Sequence, residues 1–205
     1  MSFITVPTWK AGVWSHTVFE TRQDFIAFVL PLFKVPGEYN FDETSRLFNS
    51  EGQTWDKHKY YCLHQENSKD YRKYWDTEKD KCRNGVIFHG DNNTWYLPRD
   101  YYWFLNFIPL YNKVKRQFEI ADIYDAQYHM ALYELLADLH GKDIGVIKKR
   151  QFGSSYYHAG KLTNLLWFEQ GVTLKMAASD KKYIFGEGTW SFLQIQRNHL
   201  NTYTA

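Results

Sequence analysis

The stretch from Asp143 to Gly160 reads DIGVIKKRQFGSSYYHAG and sets three consecutive cations, Lys148, Lys149 and Arg150, just ahead of Gly153, Ser154 and Ser155. Those residue types in that order suit a phosphate. A glycine lets the backbone turn toward an anion, the N–H groups that open a following helix point at it, a cation neutralises it, and a hydroxyl can hold Mg²⁺. The standard pattern, G-x-x-x-x-G-K-[ST], is not met. Aligned on Gly153, Ser155 takes the hydroxyl position, Ser154 stands where the lysine belongs, and Lys148 where the first glycine belongs. Charge neutralisation needs a cation within reach rather than at one position, and this turn holds three. The plainer reading is a solvated basic corner after a strand, and this stretch by itself leaves both open.

A second candidate lies about twenty residues upstream, in IYDAQYHMALYEL. Gln127 sits near the start of a helical pattern, and its amide can donate to N7 and accept from N6 of adenine. By itself such a glutamine is an ordinary surface residue. Ahead of K-K-R-Q-x-G-x-S at this distance, it becomes the base-reading partner of a phosphate loop.

These residues need elements to hold them. Asp122–His140 has helical spacing, with Tyr128, Leu132, Leu135, Leu136 and Leu139 on one stripe. The pattern predicts a short strand over Ile144–Ile147, a helix over Tyr156–Gln170 closed by Gly171, a strand at VTLKMAA and a helix over Trp190–His199. Strand, loop, helix, strand is the rhythm of an α/β protein with a parallel sheet. Upstream, GVIFHGDNNTWYLP reads as a β-hairpin, and YYWFLNFIPLY as a buried aromatic segment extended near Pro109. Lys57–Arg83 reads as helical and peripheral, and PGEYNFDETSRLF offers a helix start at Asp42 or Thr44. The change of texture near Gly85 divides an N-terminal accessory region, 1–84, expected to be mainly helical, from an α/β region, 85–205.

The chain has 205 residues with Lys+Arg 25 against Asp+Glu 23, so no whole-molecule basic field argues for nucleic acid. Aromatic residues make up 19% of it, which fits a packed protein and not a disordered one. Cys62 and Cys82 are the only cysteines; they fit a reduced compartment, and with His64 and His89 they match no zinc spacing. The longest apolar run, Phe25–Phe33, is broken by Pro31, and the N-terminus lacks a signal-peptide pattern. The expectation is a soluble intracellular protein. Two parallel strands cannot cover themselves, so the sequence also reads as the front part of something larger.

The run from YYWFLNFIPLY through FEIADIYDAQYHMALYEL to KKRQFGSSYYHAGKL resembles the large terminase subunit of tailed bacteriophages, an ATP-driven DNA packaging motor. The resemblance covers roughly residues 101–190. It implies the start of a RecA-like (P-loop, ASCE-type) ATPase core, incomplete, behind an aromatic-rich accessory region. It also implies ATP and Mg²⁺ as ligands, with Gln127 at adenine and Lys148 as a displaced loop lysine. Lys149, Gln151, Phe152, Gly153 and Ser154 would complete the loop, Arg150 would support γ-phosphate cleavage, and Ser155 would hold the metal. The family's partners are double-stranded viral DNA, the portal protein and the small terminase subunit. Its working form is a homo-oligomeric ring, in the host cytoplasm and transiently at the procapsid portal, with no membrane. Two family features are missing. The Walker B strand ending Asp-Glu has no counterpart, since LLWFE, ending at Glu169, lies directly after the loop and FEIAD, ending at Asp122, precedes it. The nuclease domain is absent too. The chain by itself is therefore expected to bind ATP without hydrolysing it. A helicase-like ATPase, and a non-enzymatic virion or scaffold protein with a structural basic turn, are the rival readings.

Overall fold

The computed structural model describes residues 3–35, 37–39, 53–56, 59–62, 64–90, 93–112, 114–119, 121–148, 152–175, 177, 180–185 and 193–194. In chain order the elements are β1 (Ile4–Lys10), β2 (Val13–Phe19), α1 (Arg22–Val29) with a short 3₁₀ turn, β3 (Gln53–Asp56) and β4 (Lys59–Cys62). They continue with α2 (Lys69–Asn84), β5 (Val86–His89), β6 (Thr94–Leu97), α3 (Arg99–Phe107), β7 (Leu110–Asn112) and β8 (Gln117–Glu119), then α4 (Asp125–His140), α5 (Ser154–Phe168) and α6 (Lys182–Phe185). The fold is mixed α/β.

The main sheet has the order β2-β1-β5-β6, so strands from both sides of residue 85 share it. β1 and β2 form a hairpin across Ala11 and Gly12, both at positive φ, which matches the right-handed twist of the strands. β5 and β6 form the hairpin read from GVIFHGDNNTWYLP, and β5 joins β1 in parallel through Thr8–Lys10 alone. Pro7 falls just outside that pairing, where β1 has β2 as its one described neighbour, the edge setting in which a sheet tolerates proline.

The helices cover this sheet. α3 is buried from Asp100 to Phe107, because α2, α4 and α5 all pack around it. The YYWFLNF half of the aromatic segment is thus helical, and only the part beyond Ile108 is extended. A helix that is apolar on every side belongs at the centre of a core. Gly160 lets α5 approach α3 closely: a Cβ there would stand 3.1 Å from a Phe104 ring carbon.

Three expectations need correction. Residues 57–83 are not one peripheral helix: β4 occupies Lys59–Cys62, and α2, which begins at Lys69 behind the Ser68 cap, buries Tyr74, Glu78, Lys81 and Cys82. Residues 144–147 form no strand. An apolar strand needs hydrogen-bonding neighbours, and among the described residues none pairs with this segment; Ile144, Val146 and Ile147 are exposed instead. The described part of VTLKMAA forms no strand either. Among the described residues, the parallel α/β sheet expected around the loop is therefore not built. The helix expected over Trp190–His199 lies outside the described residues except for Leu193 and Gln194, and the one expected at Asp42 or Thr44 lies wholly outside them.

Candidate functional site

α4 starts at Asp125 after the extended Tyr124 and carries Gln127 on its first turn. α5 starts at Ser154, with Gly153 as its N-cap in the left-handed conformation (φ 75°, ψ 2°). The fold brings these two helix starts together. Gln127 Nε2 donates to the Phe152 carbonyl oxygen at 2.9 Å, so the glutamine is bonded directly to the turn that precedes α5. Gly153 lies over the same amide: a Cβ on it would come within 2.6 Å of Gln127 Nε2 and would have to displace that amide, and the positive φ itself favours glycine.

Gln127 is only 4% exposed, and its Oε1 has no hydrogen-bond partner. Because the carbonyl of Phe152 can only accept, the amide orientation is fixed with nitrogen toward Phe152 and oxygen away from it. Nε2 carries a second hydrogen, so a two-bond reading of adenine is compatible with the Phe152 bond. Oε1 is a buried acceptor, matched to an N–H donor such as an exocyclic amine. A buried, unmade hydrogen bond of this kind costs about 1–3 kcal/mol until a donor arrives.

Gln127 stands in the wall of a cavity of about 650 Å³, lined also by Phe104, Ala121–Ala126, Phe152, Gly153 and Tyr156. That volume and the mostly apolar lining suit a planar heterocycle with few polar anchors. Asp125 is engaged there, accepting from the Gly37 N–H at 2.8 Å.

The phosphate side is described in part. Ser154 is buried and Ser155 exposed on the first turn of α5, where a helix has N–H groups without intrahelical acceptors. Lys148 is exposed and makes no ion pair among the described residues. Lys149, Arg150 and Gln151 lie outside the described residues. Phe152 and Gly153 are brought to Gln127, while Lys148 has no described contact with them.

Sequence reasoning missed the charged cluster behind the loop. Glu134, two turns along α4 from Gln127, receives hydrogen bonds from His158 Nε2 (2.8 Å) and Lys161 Nζ (2.8 Å), both on α5. His158 Nδ1 lies 2.7 Å from the Ser154 carbonyl oxygen. Asp100 of α3 accepts from the buried Tyr157 hydroxyl at 3.0 Å and lies 3.6 Å from Lys161. Burial pushes the Glu134 carboxyl up, but the His158 hydrogen bond and the Lys161 charge outweigh it and hold the group below the usual range. The Glu134 hydrogen bond raises His158 above an ordinary histidine. Burial works against the Lys161 charge, yet Asp100 and Glu134 hold its pKa above normal. The i, i+3 spacing of His158 and Lys161 on a helix was the available signal, since it puts both on one face.

Among the described residues, no helix is long and apolar enough to cross a membrane. No protein-family model, curated protein or solved structure significantly matches the chain.

Proposed function

We propose that this chain is the ATP-binding portion of a phage large terminase subunit, the motor that moves viral DNA into a procapsid. One observation carries the reading: Gln127 is hydrogen-bonded to Phe152 and lies beneath Gly153, so the base-reading and phosphate-loop halves of the motif, read separately from sequence, adjoin in space. The residues fit the nucleotide. The cavity beside Gln127 takes the base, with Oε1 accepting from the adenine N6 amine; guanine would present an acceptor there instead. Backbone amides at Gly153 and Ser154 hold the phosphates, Lys148, Lys149 and Arg150 neutralise them with Gln151 in the loop, and Ser155 holds Mg²⁺. In the family, Mg²⁺–ATP supplies the energy of phosphoryl transfer.

The RecA-like core belongs to this proposal. It asks that 144–147 become a strand when neighbours are present, and the exposed Ile144, Val146 and Ile147 are the apolar side chains such a strand would bury. The wider setting goes with it: duplex viral DNA, portal protein and small subunit as partners, a ring of copies, and the host cytoplasm as the site of action. The unpaired 144–147 segment equally favours the second reading, a virion or scaffold protein whose basic turn is structural.

Titration calorimetry with ATP and GTP decides between them. The first reading expects binding, a preference for ATP, and a loss of that preference by about fivefold or more in Gln127→Ala, since a base contact is worth about 1–3 kcal/mol. No binding of either nucleotide overturns it in favour of the second.

A further inference from the structure

We infer that His158, in its doubly protonated form, is a positioning residue that fixes the first turn of α5, and so Gly153, against Gln127 on α4. The bonding geometry carries this. Nδ1 faces a backbone carbonyl oxygen at 2.7 Å and Nε2 faces a carboxylate oxygen at 2.8 Å, so both ring nitrogens meet groups that can only accept. A neutral imidazole has a single N–H and can satisfy one of them; the imidazolium satisfies both. The two acceptors belong to different parts of the site. Ser154 is the first residue of the helix after the loop, and Glu134 lies on the helix that carries Gln127. The charged ring is thus a strap from the loop's end to the base-reading helix.

The surroundings favour that charge. From α4 the ring meets Glu134, with Asp138 farther out; from α3, Asp100 reaches the same cluster through Tyr157 and Lys161; from its own helix, Lys161 is the one opposing cation among the described residues. Lys161 is itself shared among the three carboxylates, 2.8 Å from Glu134, 3.6 Å from Asp100 and 3.8 Å from Asp138. Among the described residues three carboxylates face one lysine, and a second proton on His158 offsets part of that excess negative charge. The hydrogen bond to Glu134 raises the ring's pKa in the same direction.

This inference rests on the proposed site for its purpose but not for its test. In the full chain, two-bond ¹H–¹⁵N spectra of the histidine rings, with His158 assigned through His158→Gln, are expected to show both nitrogens protonated at pH 7. Hydrogen exchange over the peptide 152–168 is expected to quicken about tenfold, beyond its intrinsic pH dependence, as pH rises through the His158 transition, because one charge-assisted bond is lost. In His158→Gln, which can donate to one acceptor and never charges, that step disappears and exchange is fast at every pH. ATP affinity, measured in parallel, should fall about tenfold across the same transition in the native chain and stay flat in the variant. A ring with one bare nitrogen at pH 7, or exchange that ignores both pH and the substitution, overturns the positioning role. If the spectra and exchange behave as stated but ATP binds at no pH, the strap stands and the nucleotide reading falls. Should His158→Gln fold poorly, the native chain's own pH series carries the decision.

Discussion

Two buried charged clusters among the described residues differ in what they connect. Glu78 and Lys81 lie one turn apart on α2, 2.7 Å from each other, with side chains 2% and 3% exposed. Lys81 Nζ also sits 4.0 Å from the Trp14 ring centre, and the Tyr102 hydroxyl donates to Glu78 at 2.7 Å. Glu134, His158, Lys161 and Asp100 instead draw from three helices, and His158 remains 42% exposed at the edge. The first cluster is sealed, with both ionic partners on one helix. The second is open on one side, contains a histidine, and ends at the turn before α5. Burial makes a charge pair costly to break, and solvent access with a titratable ring makes one adjustable.

The sharpest way to break this comparison is Lys81→Met, which takes the cation from beside a buried carboxylate. Breaking a buried pair costs about 3–5 kcal/mol, and adding Glu78→Leu should return much of that. Urea unfolding of the two variants measures both. Equal stability in native and single variant would show that Glu78 takes up a proton readily and that the cluster is less sealed than it looks. Gly153→Ala probes the second cluster's outlet. The substitution forces positive φ on alanine and drives a methyl into Gln127, so a cost of about 1–3 kcal/mol is expected, with ATP affinity down at least tenfold. Calorimetry showing native affinity would detach Gly153 from the site.

The pH dependence of stability separates the clusters further. His158, with its raised pKa, contributes stability that is complete below its unfolded value and lost as pH climbs through the folded one. Glu134, with its lowered pKa, contributes stability present above its unfolded value and lost as pH falls through the folded one. The cluster is thus strongest between the two, on the acid side of the raised histidine. Allowing for solvent at the ring, the alkaline loss should be about 0.5–1 kcal/mol and vanish in His158→Gln, read as thermal midpoints from pH 5 to 9. The smallest effect belongs to the exposed pair Arg99–Glu169: Arg99→Ala should change stability by less than about 1 kcal/mol. A larger loss there would mean that exposure is a poor guide to the ranking used above.

Periodicity made α4 and α5 legible, since Tyr128, Leu132 and the leucines beyond them return at helical spacing, and the Gly-Asp-Asn-Asn turn between β-rich runs marked the β5–β6 hairpin. α3 was harder. A segment buried on all sides carries no polar face, so its period is invisible and its aromatics suit a strand equally well. The strand expected over 144–147 followed from composition, but a strand exists only through its neighbours, and those neighbours are not a local property. At the candidate site, glycine, glutamine and serine could be named from spacing. The distance between Gln127 and Gly153, and the link from Glu134 to His158, depend on how two helices dock, which no short motif encodes.

The three-residue parallel match between β1 and β5 has a consequence for how the chain folds. Each hairpin closes from nearby residues, but their joint pairs positions about eighty residues apart in sequence. Closing so long a loop costs chain entropy before any contact repays it, so the joint forms late and slowly. During synthesis the β1–β2 hairpin emerges first, and its sheet edge waits for β5, although Phe19 meets Phe25 and Phe28 at once. A refolding rate set by the docking of two preformed hairpins is the expected consequence of three pairs of residues.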